Sequence, residues 1–513
     1  MSKRRLSAIA VGVAAAVALA GCVPFTLFDP KASPTPEPSN TGIVSGEERF
    51  YQQDLRWVDC GPVQCALVTV PLDWNDLAGD TVQVAISRHE ATGKKVGSLL
   101  VDPGGPGGSG LVYGQYADQI FSPEILDAYD VIGFDPRGVG SSTPVVCYTD
   151  PADMDELLYG TYANAYGTEA WLGELKKRED AWAQACVDNT GPLLGHIDAA
   201  SVARDMDVIR AVLGDDSLHY VGFSYGTYLG AVYAALFPQN VGRMVLDGAV
   251  DPQVGDLEAL TTQMAGFESA FRAYMTDCLA SSGCPFGGTL DQALADVRTI
   301  IDGVDAKKLR SDDGRTLDRA TLGTAIAENL YSESYWADMS DMFSGLRRND
   351  PSGVFAAADD YNGRNADGSY NGSLIDVYTA VTCLEGTLRT DGVGTLEGLQ
   401  QIQAAAPTIG TAIAWDDYAV LDTVCSDWPE PPATLPTDFS AKGAPPILVI
   451  GTTNDPATPY AQAVSLAKQL SSGVLISYEG EGHTIYTQGV ACIDDLVDDY
   501  LVKGTVPKAD PMC

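Results

Sequence analysis

Ser224 lies in the run G-F-S-Y-G at 222–226, which has the G-x-S-x-G spacing of a serine nucleophile. A serine hydroxyl attacks when a histidine takes its proton and a carboxylate orients that histidine. The run 217–223 is short, apolar and aromatic, as in a buried strand, and 227–237 is an apolar run of small residues typical of a buried helix. Strand, sharp turn and helix form the context in which this motif carries a catalytic serine.

The base that such a serine needs has few candidates, because the chain contains only four histidines, at positions 89, 196, 219 and 483. In folds with this motif the chain order is serine, then Asp or Glu, then histidine. Only His483 follows the serine, so we predict that His483 is the base. We interpret His89 as a surface or loop residue, and His196 and His219 as structural.

The acid is expected at the end of the strand that precedes the histidine. The apolar run 446–450 predicts that strand, and Asp455 follows it. Asp427 and Glu479 are the alternatives.

A run of glycines at 103–110 follows the predicted strand 97–102. Glycines let backbone N–H groups approach a ligand closely, and such a loop donates one N–H to the oxyanion of a serine hydrolase. The second donor is the residue after the nucleophile, Tyr225. A phosphate loop would need G-K-[ST], which does not follow, and a flexible linker would not follow an apolar strand. In the next glycine turn, 135–142, we expect Asp135 and Arg137 to pair with each other.

The elements that must position these residues alternate strands with helices, which predicts an α/β fold with a mostly parallel sheet. From 251 onward the pattern is helical with polar loops, so we expect an inserted helical cap. The expected divisions are a core at 49–250, the cap at 251–435 and the rest of the core at 436–513. The predicted strands and cap helices lie at 66–70, 81–87, 97–102, 129–134, 217–223, 241–246, 446–450 and 474–478, and at 258–279, 290–301, 319–330, 335–346 and 354–361.

The N-terminus predicts export. Three basic residues at 3–5 precede an alanine-rich apolar run to Ala20, as in a signal peptide covering 1–21. The run ends L-A-G-C, which resembles the lipidation motif of bacterial lipoproteins, with Cys22 as the lipid-bearing residue. The Pro/Ser-rich segment 22–48 would then be a tether to the membrane. The alternative is ordinary cleavage and a secreted protein.

Composition and charge restrict the classes of partner, metal and cofactor that the chain is expected to bind. The 513 residues carry a formal net charge of -38, which repels nucleic acid and tolerates a cationic substrate end. Eleven cysteines leave an even set once Cys22 is removed, and export favours disulfides over metal sites. No cofactor and no metal are expected. The suggested pairs are Cys60–Cys65, Cys147–Cys186, Cys278–Cys284, Cys383–Cys425 and Cys492–Cys513.

Together, the glycine run at 103–110, G-F-S-Y-G-T, L-F-P-Q-N-V-G-R-M-V-L-D-G, N-D-P-A-T-P-Y and E-G-H resemble the secreted tripeptidyl aminopeptidases of actinobacteria. The likeness runs from about residue 57 to 513. It implies an α/β-hydrolase fold with a helical cap and the triad Ser224, Asp455 and His483. It also implies oxyanion donors at Tyr225 and at Gly105 or Gly104. In place of Pro103, the related prolyl aminopeptidases usually carry histidine.

The resemblance implies an enzyme that releases short peptides, with tripeptides as the expected length, from free N-termini. A cap carboxylate would bind the substrate ammonium, and the candidates are Glu328, Glu333, Asp338 and Asp341. The alternatives are an esterase or another hydrolase of a small ester or amide, and an inactive lipid-anchored binding protein.

Overall fold

The computed structural model describes residues 46–386, 394–508 and 510–513. The predicted signal peptide, Cys22 and all but the last three residues of the predicted tether lie outside these ranges. Among the helices within them, none combines the length and the apolar character that crossing a bilayer requires.

A nine-stranded sheet forms the centre of the fold, in the order β1-β2-β3-β5-β4-β6-β7-β8-β9. The pairs among β1, β2, β3 and β5 are antiparallel, and every pair from β5 to β9 is parallel. The prediction of an α/β-hydrolase fold with a mostly parallel sheet is therefore confirmed. The strands are Val58–Cys60 (β1), Val63–Pro71 (β2), Thr81–His89 (β3), Gly97–Asp102 (β4), Tyr129–Phe134 (β5), Leu218–Phe223 (β6), Val241–Asp247 (β7), Ile447–Asn454 (β8) and Gly473–Glu481 (β9).

Helices cover both faces of this sheet, which is why its central strands are apolar along their whole length. Successive side chains of a strand point to opposite faces. On β4, Leu99 belongs to the hydrophobic cluster that contains Val497 of the C-terminal helix, whereas Leu100 belongs to the cluster that contains Met206. The helices outside the cap are Glu48–Tyr51 (α1), Leu111–Gln115 (α2), Ala117–Ile120 (α3), Pro123–Ala128 (α4), Pro151–Tyr159 (α5), Glu169–Thr190 (α6), Ala199–Val212 (α7), Tyr225–Leu236 (α8), Tyr460–Gln469 (α18) and Ala491–Lys503 (α19).

The segment between β7 and β8 contributes helices and, in its described part, no strand of the sheet. We call residues 251–435 the cap. One side of it packs into the same hydrophobic cluster as α7 and α8. Its helices are Asp256–Ala280 (α9), Leu290–Lys307 (α10), Arg319–Leu330 (α11), Trp336–Arg347 (α12), Ser352–Tyr361 (α13), Leu374–Glu385 (α14), Thr395–Ala405 (α15), Gly410–Ala414 (α16) and Leu421–Ser426 (α17).

Five disulfides join ten of the described cysteines in the pairs that the spacing suggested. Cys383–Cys425 connects α14 to α17 inside the cap, and Cys492–Cys513 ties the chain end to α19. Cross-links of this kind restrict the unfolded chain and thereby favour the folded state.

The expected pairing of Asp135 with Arg137 is wrong. Arg137 is 1% exposed and makes a two-pronged ion pair with Asp205 of α7, at 2.6 and 2.7 Å. Its remaining donors go to the backbone carbonyls of Pro71, Leu72 and His196. The Asp135 carboxylate instead accepts from Ser109 and Ser141. A buried guanidinium needs an acceptor for each of its donors, and α7 with the end of β2 supplies them.

Asp205→Ala should lower the free energy of unfolding by about 3–5 kcal/mol, because it leaves a buried charge without its partner. The control is Asp499→Ala, which breaks an exposed ion pair to Lys503 and should cost less than about 1 kcal/mol. Urea unfolding of both variants measures the difference. Equal losses of stability would contradict this account of Arg137.

Candidate active site

Ser224 occupies the sharp turn between β6 and α8, with φ 53° and ψ -123°. Non-glycine residues rarely adopt such angles, which cost of order 1–3 kcal/mol and persist only where the surroundings impose them. Here the Ser224 N–H donates to the carbonyl of Asp247 at 2.9 Å, and the Ser224 carbonyl accepts from Thr227 at 2.8 Å. A Cβ on Gly222 would lie 2.3 Å from the carbonyl oxygen of Gly226, so the turn requires glycine there.

The glycine run at 103–110 packs directly against this turn. A Cβ on Gly104 would lie 2.5 Å from the carbonyl oxygen of Phe223 and 2.7 Å from the amide nitrogen of Tyr225. The N–H of Gly104 donates to the buried carboxylate of Asp102 at 2.8 Å, so it is already engaged. Gly105 lines the same cavity as Ser224 and Tyr225. Of the two glycines, this favours Gly105 as the partner of Tyr225 in binding an oxyanion.

His483 lies in the loop after β9, and its Nδ1 is 2.9 Å from both carboxylate oxygens of Asp455. Asp455 is 2% exposed, and one of its oxygens also accepts the N–H groups of Ala457 and Thr458, each at 2.9 Å. The Thr458 hydroxyl donates to the other oxygen at 3.0 Å. Four groups therefore hold the Asp455 carboxylate: the imidazole, two backbone N–H groups and one hydroxyl. The alternative acids lie elsewhere, since Asp427 pairs with Lys176 and Glu479 is exposed.

The far ring nitrogen of His483, Nε2, is buried and makes no hydrogen bond within the described residues. Both His483 and Ser224 line one cavity. Burial alone would lower the pKa of His483, but the carboxylates of Asp455 and, less strongly, Asp247 raise it above its usual value. The arrangement therefore places this imidazole nitrogen, with a carboxylate behind the ring, in the lining of the cavity that Ser224 also lines. We call the turn between β6 and α8 that carries Ser224 the elbow.

Asp247 is a site residue that the sequence did not reveal. It ends β7, is fully buried, and one carboxylate oxygen accepts the N–H groups of Ile485 and Tyr486 at 2.8 Å each. Its main-chain carbonyl accepts the N–H of Ser224. Burial raises the pKa of Asp247 to about 6. One residue therefore holds both the elbow and the loop that carries His483.

A second residue that the sequence did not reveal holds Tyr225 from the cap side. Glu385, the last residue of α14, accepts the Tyr225 hydroxyl at 2.9 and 3.0 Å, and it also accepts the N–H of Ala199. Burial raises the pKa of Glu385 to about 8. This contact links the cap to the residue that follows the nucleophile.

Core and cap together enclose a cavity of about 2140 Å³. Clefts for small ligands usually occupy roughly 300–1,000 Å³, so this one has room for a peptide. Among the described residues that line it there is no lysine and no arginine, whereas seven acidic residues do line it. They are Asp135, Glu179, Glu328, Glu333, Asp360, Asp367 and Glu481.

The four candidate carboxylates of the cap divide into two pairs. Glu328 and Glu333 line the cavity, whereas Asp338 and Asp341 are exposed and do not belong to its described lining. Asp360 of α13 joins Glu328 of α11 on this wall, and the two helices pack against each other. Burial, and then the charge of Asp360, raises the pKa of Glu328 to about 8.

The other histidines lie apart from this cavity's described lining. His219 is packed against Tyr129, accepts the N–H of Arg243 at 3.0 Å, and burial lowers its pKa to about 4. Over the ranges that the structure describes, no group of three or more His, Cys, Asp or Glu residues is placed to hold a metal ion.

A serine on a strained strand-to-helix turn, a histidine backed by a buried carboxylate and a parallel sheet with this strand order define a serine hydrolase of the α/β-hydrolase class. Comparison with known proteins narrows the class. Residues 412–513 match the family model described as TAP-like protein, Abhydrolase_4.

Three relatives match nearly the whole chain. Serine protease Hip1 of Mycobacterium tuberculosis is 37% identical, over 92% of this chain and 94% of the relative. Carboxylesterase B of the same species is 38% identical, over 88% and 86%. Tripeptidyl aminopeptidase of Streptomyces lividans is 32% identical, over 92% and 89%. With such identities over most of each length, the chain belongs to this family of α/β-hydrolase serine peptidases.

Asp247→Asn should move the acid limb of the pH profile of kcat/KM to lower pH by about one unit. A base must be neutral to accept a proton, so activity falls as pH falls through the pKa of His483. In the wild type this limb should lie above pH 6.5, because the pKa of His483 is raised above the usual 6.5, in part by the charge of Asp247. Hydrolysis of an activated ester across pH measures it.

The matched control is Asp498→Asn. Asp498 is a partly buried carboxylate that accepts the hydroxyl of Tyr486, so it touches the same loop without being a main influence on the pKa of His483. The acid limb of the pH profile of Asp498→Asn should lie at the same pH as that of the wild type. An unmoved limb in Asp247→Asn would show that the charge of Asp247 does not act on the histidine.

Proposed function

We propose that the chain is an exported serine exopeptidase that releases short peptides, tripeptides as the expected length, from free N-termini. In this proposal Ser224 is the nucleophile, His483 the general base, and Asp455 the acid that orients the imidazole. The names of two relatives, serine protease and tripeptidyl aminopeptidase, support peptides as the substrate class. The 2.9 Å contacts between His483 and Asp455 support the assignment of base and acid.

In the proposed mechanism His483 Nε2 takes the proton of the Ser224 hydroxyl as its oxygen attacks the scissile carbonyl carbon. The N–H groups of Tyr225 and Gly105 stabilise the oxyanion, and a donor of this kind contributes about 3 kcal/mol to transition-state binding. The imidazolium then gives its proton to the departing amine, which leaves an acyl-enzyme. Water, deprotonated by the same imidazole, attacks the ester and restores the serine.

The observation that carries the exopeptidase proposal is the charge of the cavity. An enzyme that reads a free N-terminus needs a carboxylate for the ammonium group. Glu328 and Asp360 line the cavity that contains Ser224. Within the described residues neither side chain makes an ion pair, and burial, followed by the charge of Asp360, raises the pKa of Glu328. An ammonium group bound between them would relieve that repulsion and supply charge-assisted hydrogen bonds.

The cap also supports cleavage near a chain end rather than in mid-chain. Residues of α11, α13 and α14 line the same cavity as Ser224. The distance between the ammonium site and the elbow would set the length of the released peptide. We propose that residues 251–435 act as this cap and that 49–250 and 436–513 together form the catalytic core.

The location follows from the N-terminal sequence. We propose that residues 1–21 are a signal peptide and that Cys22 carries a lipid that anchors the enzyme outside the cytoplasm, with 22–48 as the tether. Except for the last three residues of the tether, these residues lie outside the described ranges, so this part of the proposal rests on the sequence.

One finding favours a second function. The relative named carboxylesterase B is as similar to this chain as the named proteases are. An esterase would use the same serine, histidine and carboxylate but would have no need for the acidic wall of the cavity.

Four substrates separate these functions: a free-amine tripeptidyl anilide, its N-acetyl twin, a prolyl anilide and a short-chain ester. We expect the wild type to hydrolyse the free tripeptidyl compound far better than the others, and Ser224→Ala, correctly folded, to hydrolyse none. Hydrolysis of the ester alone would show an esterase. Unchanged turnover in Ser224→Ala would remove the nucleophile assignment.

Glu328→Gln should raise KM for the free-amine tripeptidyl anilide about 30-fold, because a hydrogen bond to a charged group contributes about 2 kcal/mol. Cleavage of the N-acetyl twin should hardly change, since it offers no ammonium group. The matched control is Asp338→Asn, which removes an exposed cap carboxylate outside the described cavity lining and should leave KM as it is. Equal increases in KM for the free-amine substrate and its N-acetyl twin would show that Glu328 does not bind the ammonium group.

A further inference from the structure

We propose that Tyr331 of the cap is a positioning residue for His483, so that the catalytic base of the core is completed by the cap. The proposal rests on the proposed role of His483 as general base. Tyr331 contacts the histidine in two ways. Its main-chain carbonyl accepts the N–H of His483 at 2.9 Å, and its ring meets the imidazole edge-on, with centroids 5.6 Å apart and planes at 75°.

The main-chain contact depends on where Tyr331 stands. It is the C-cap of α11, and the carbonyls at a helix end lack partners within the helix. The chain then turns into an extended conformation at Ser332, with φ -147° and ψ 140°. The carbonyl of Tyr331 can therefore accept from outside the helix. The partial negative charge of a helix C-terminus also favours a cation nearby, such as the imidazolium formed during the reaction.

The loop that carries His483 has unfavourable backbone angles, so contacts that hold it in place are needed. Gly482 and Thr484, on either side of His483, have φ values of 95° and 61°, and the second costs energy for a non-glycine residue. The Asp247 carboxylate holds the loop from the core at Ile485 and Tyr486. Tyr331 holds it from the opposite side, at His483 itself. The backbone of Gly482 lies close to the same cap turn, since a Cβ there would be 3.3 Å from the Tyr331 carbonyl oxygen.

The ring contact constrains the imidazole plane. The imidazole contacts Asp455 at 2.9 Å and the Thr458 hydroxyl at 3.3 Å, both through Nδ1, and contacts at one ring nitrogen do not by themselves fix the tilt of the ring plane. An edge-on aromatic neighbour restricts this tilt and contributes about 0.5–1.5 kcal/mol. A displacement of about 1 Å in a catalytic group can cost about 100-fold in rate, so a small change in imidazole orientation would be visible in the chemical step.

The position of Tyr331 separates its role from that of the ammonium site. Glu328 stands one turn earlier on α11 and should affect only substrates with a free amine. Tyr331 should affect every reaction of Ser224, including those with compounds that have no amine. A small fluorophosphonate reacts with an activated serine and carries no ammonium group, so its labelling rate should respond to changes at Tyr331 but not to changes at Glu328.

The experiment measures the second-order rate constant for fluorophosphonate labelling of Ser224 and the kcat for the activated ester. We expect Tyr331→Ala to lower both by about 10- to 100-fold, with little change in KM, and Tyr331→Phe, which keeps the ring, to stay within about threefold of the wild type. Phe343→Leu is the control for a loosened cap, because Phe343 is buried between Phe271 and Phe286 away from the histidine. Phe343→Leu should leave the labelling rate of Ser224 unchanged even if it lowers the thermal stability as much as Tyr331→Ala does.

Each outcome decides the matter. Labelling of folded Tyr331→Ala at the wild-type rate would overturn the proposal, and so would an equal loss in Tyr331→Phe or in Phe343→Leu. If the wild type itself is not labelled at Ser224, the proposed function fails instead, and that result is distinct from a failure of the Tyr331 proposal.

Discussion

The hydrogen bonds of Asp247 are the interaction on which the rest of the site depends. Its carbonyl holds the strained backbone of Ser224, and its carboxylate holds the loop that carries His483. Ser224 and His483, the proposed nucleophile and base, come from distant parts of the chain, and a parallel sheet brings the ends of β6, β7 and β9 to one edge. Because β7 lies beside β6, a single residue at its end reaches both. Asp247 thereby holds both the backbone of Ser224 and the loop that carries His483.

The cap adds the constraints that the core alone lacks. Glu385 holds the hydroxyl of Tyr225, next to the nucleophile, and Tyr331 holds the backbone and ring of His483. The same helical segment supplies the acidic wall of the cavity. The cap therefore contacts Tyr225, which follows the proposed nucleophile, and His483, the proposed base. In the proposed account the C-terminal part of α11 supplies both Glu328, which would bind the ammonium group, and Tyr331, which would position the imidazole.

Much of the fold was predictable because it depends on local patterns. The apolar runs of the parallel strands and the helical period of α11 appear directly in the sequence, and His483 stood out because only one histidine follows Ser224. The partners of Arg137, the contacts of Asp247 and the placement of Glu328 and Asp360 in the lining of one cavity were not predictable. Each depends on which distant elements pack together, and a charged residue at the end of a strand looks the same in the sequence whether it holds a loop or faces solvent.

The most direct test is the structure of Ser224→Ala with a free-amine peptide bound. The account predicts the N-terminal ammonium within hydrogen-bond distance of Glu328, the third carbonyl oxygen at the N–H groups of Tyr225 and Gly105, and His483 still bonded to Asp455. A peptide bound in the opposite direction, or with its ammonium group away from the acidic wall, would contradict it.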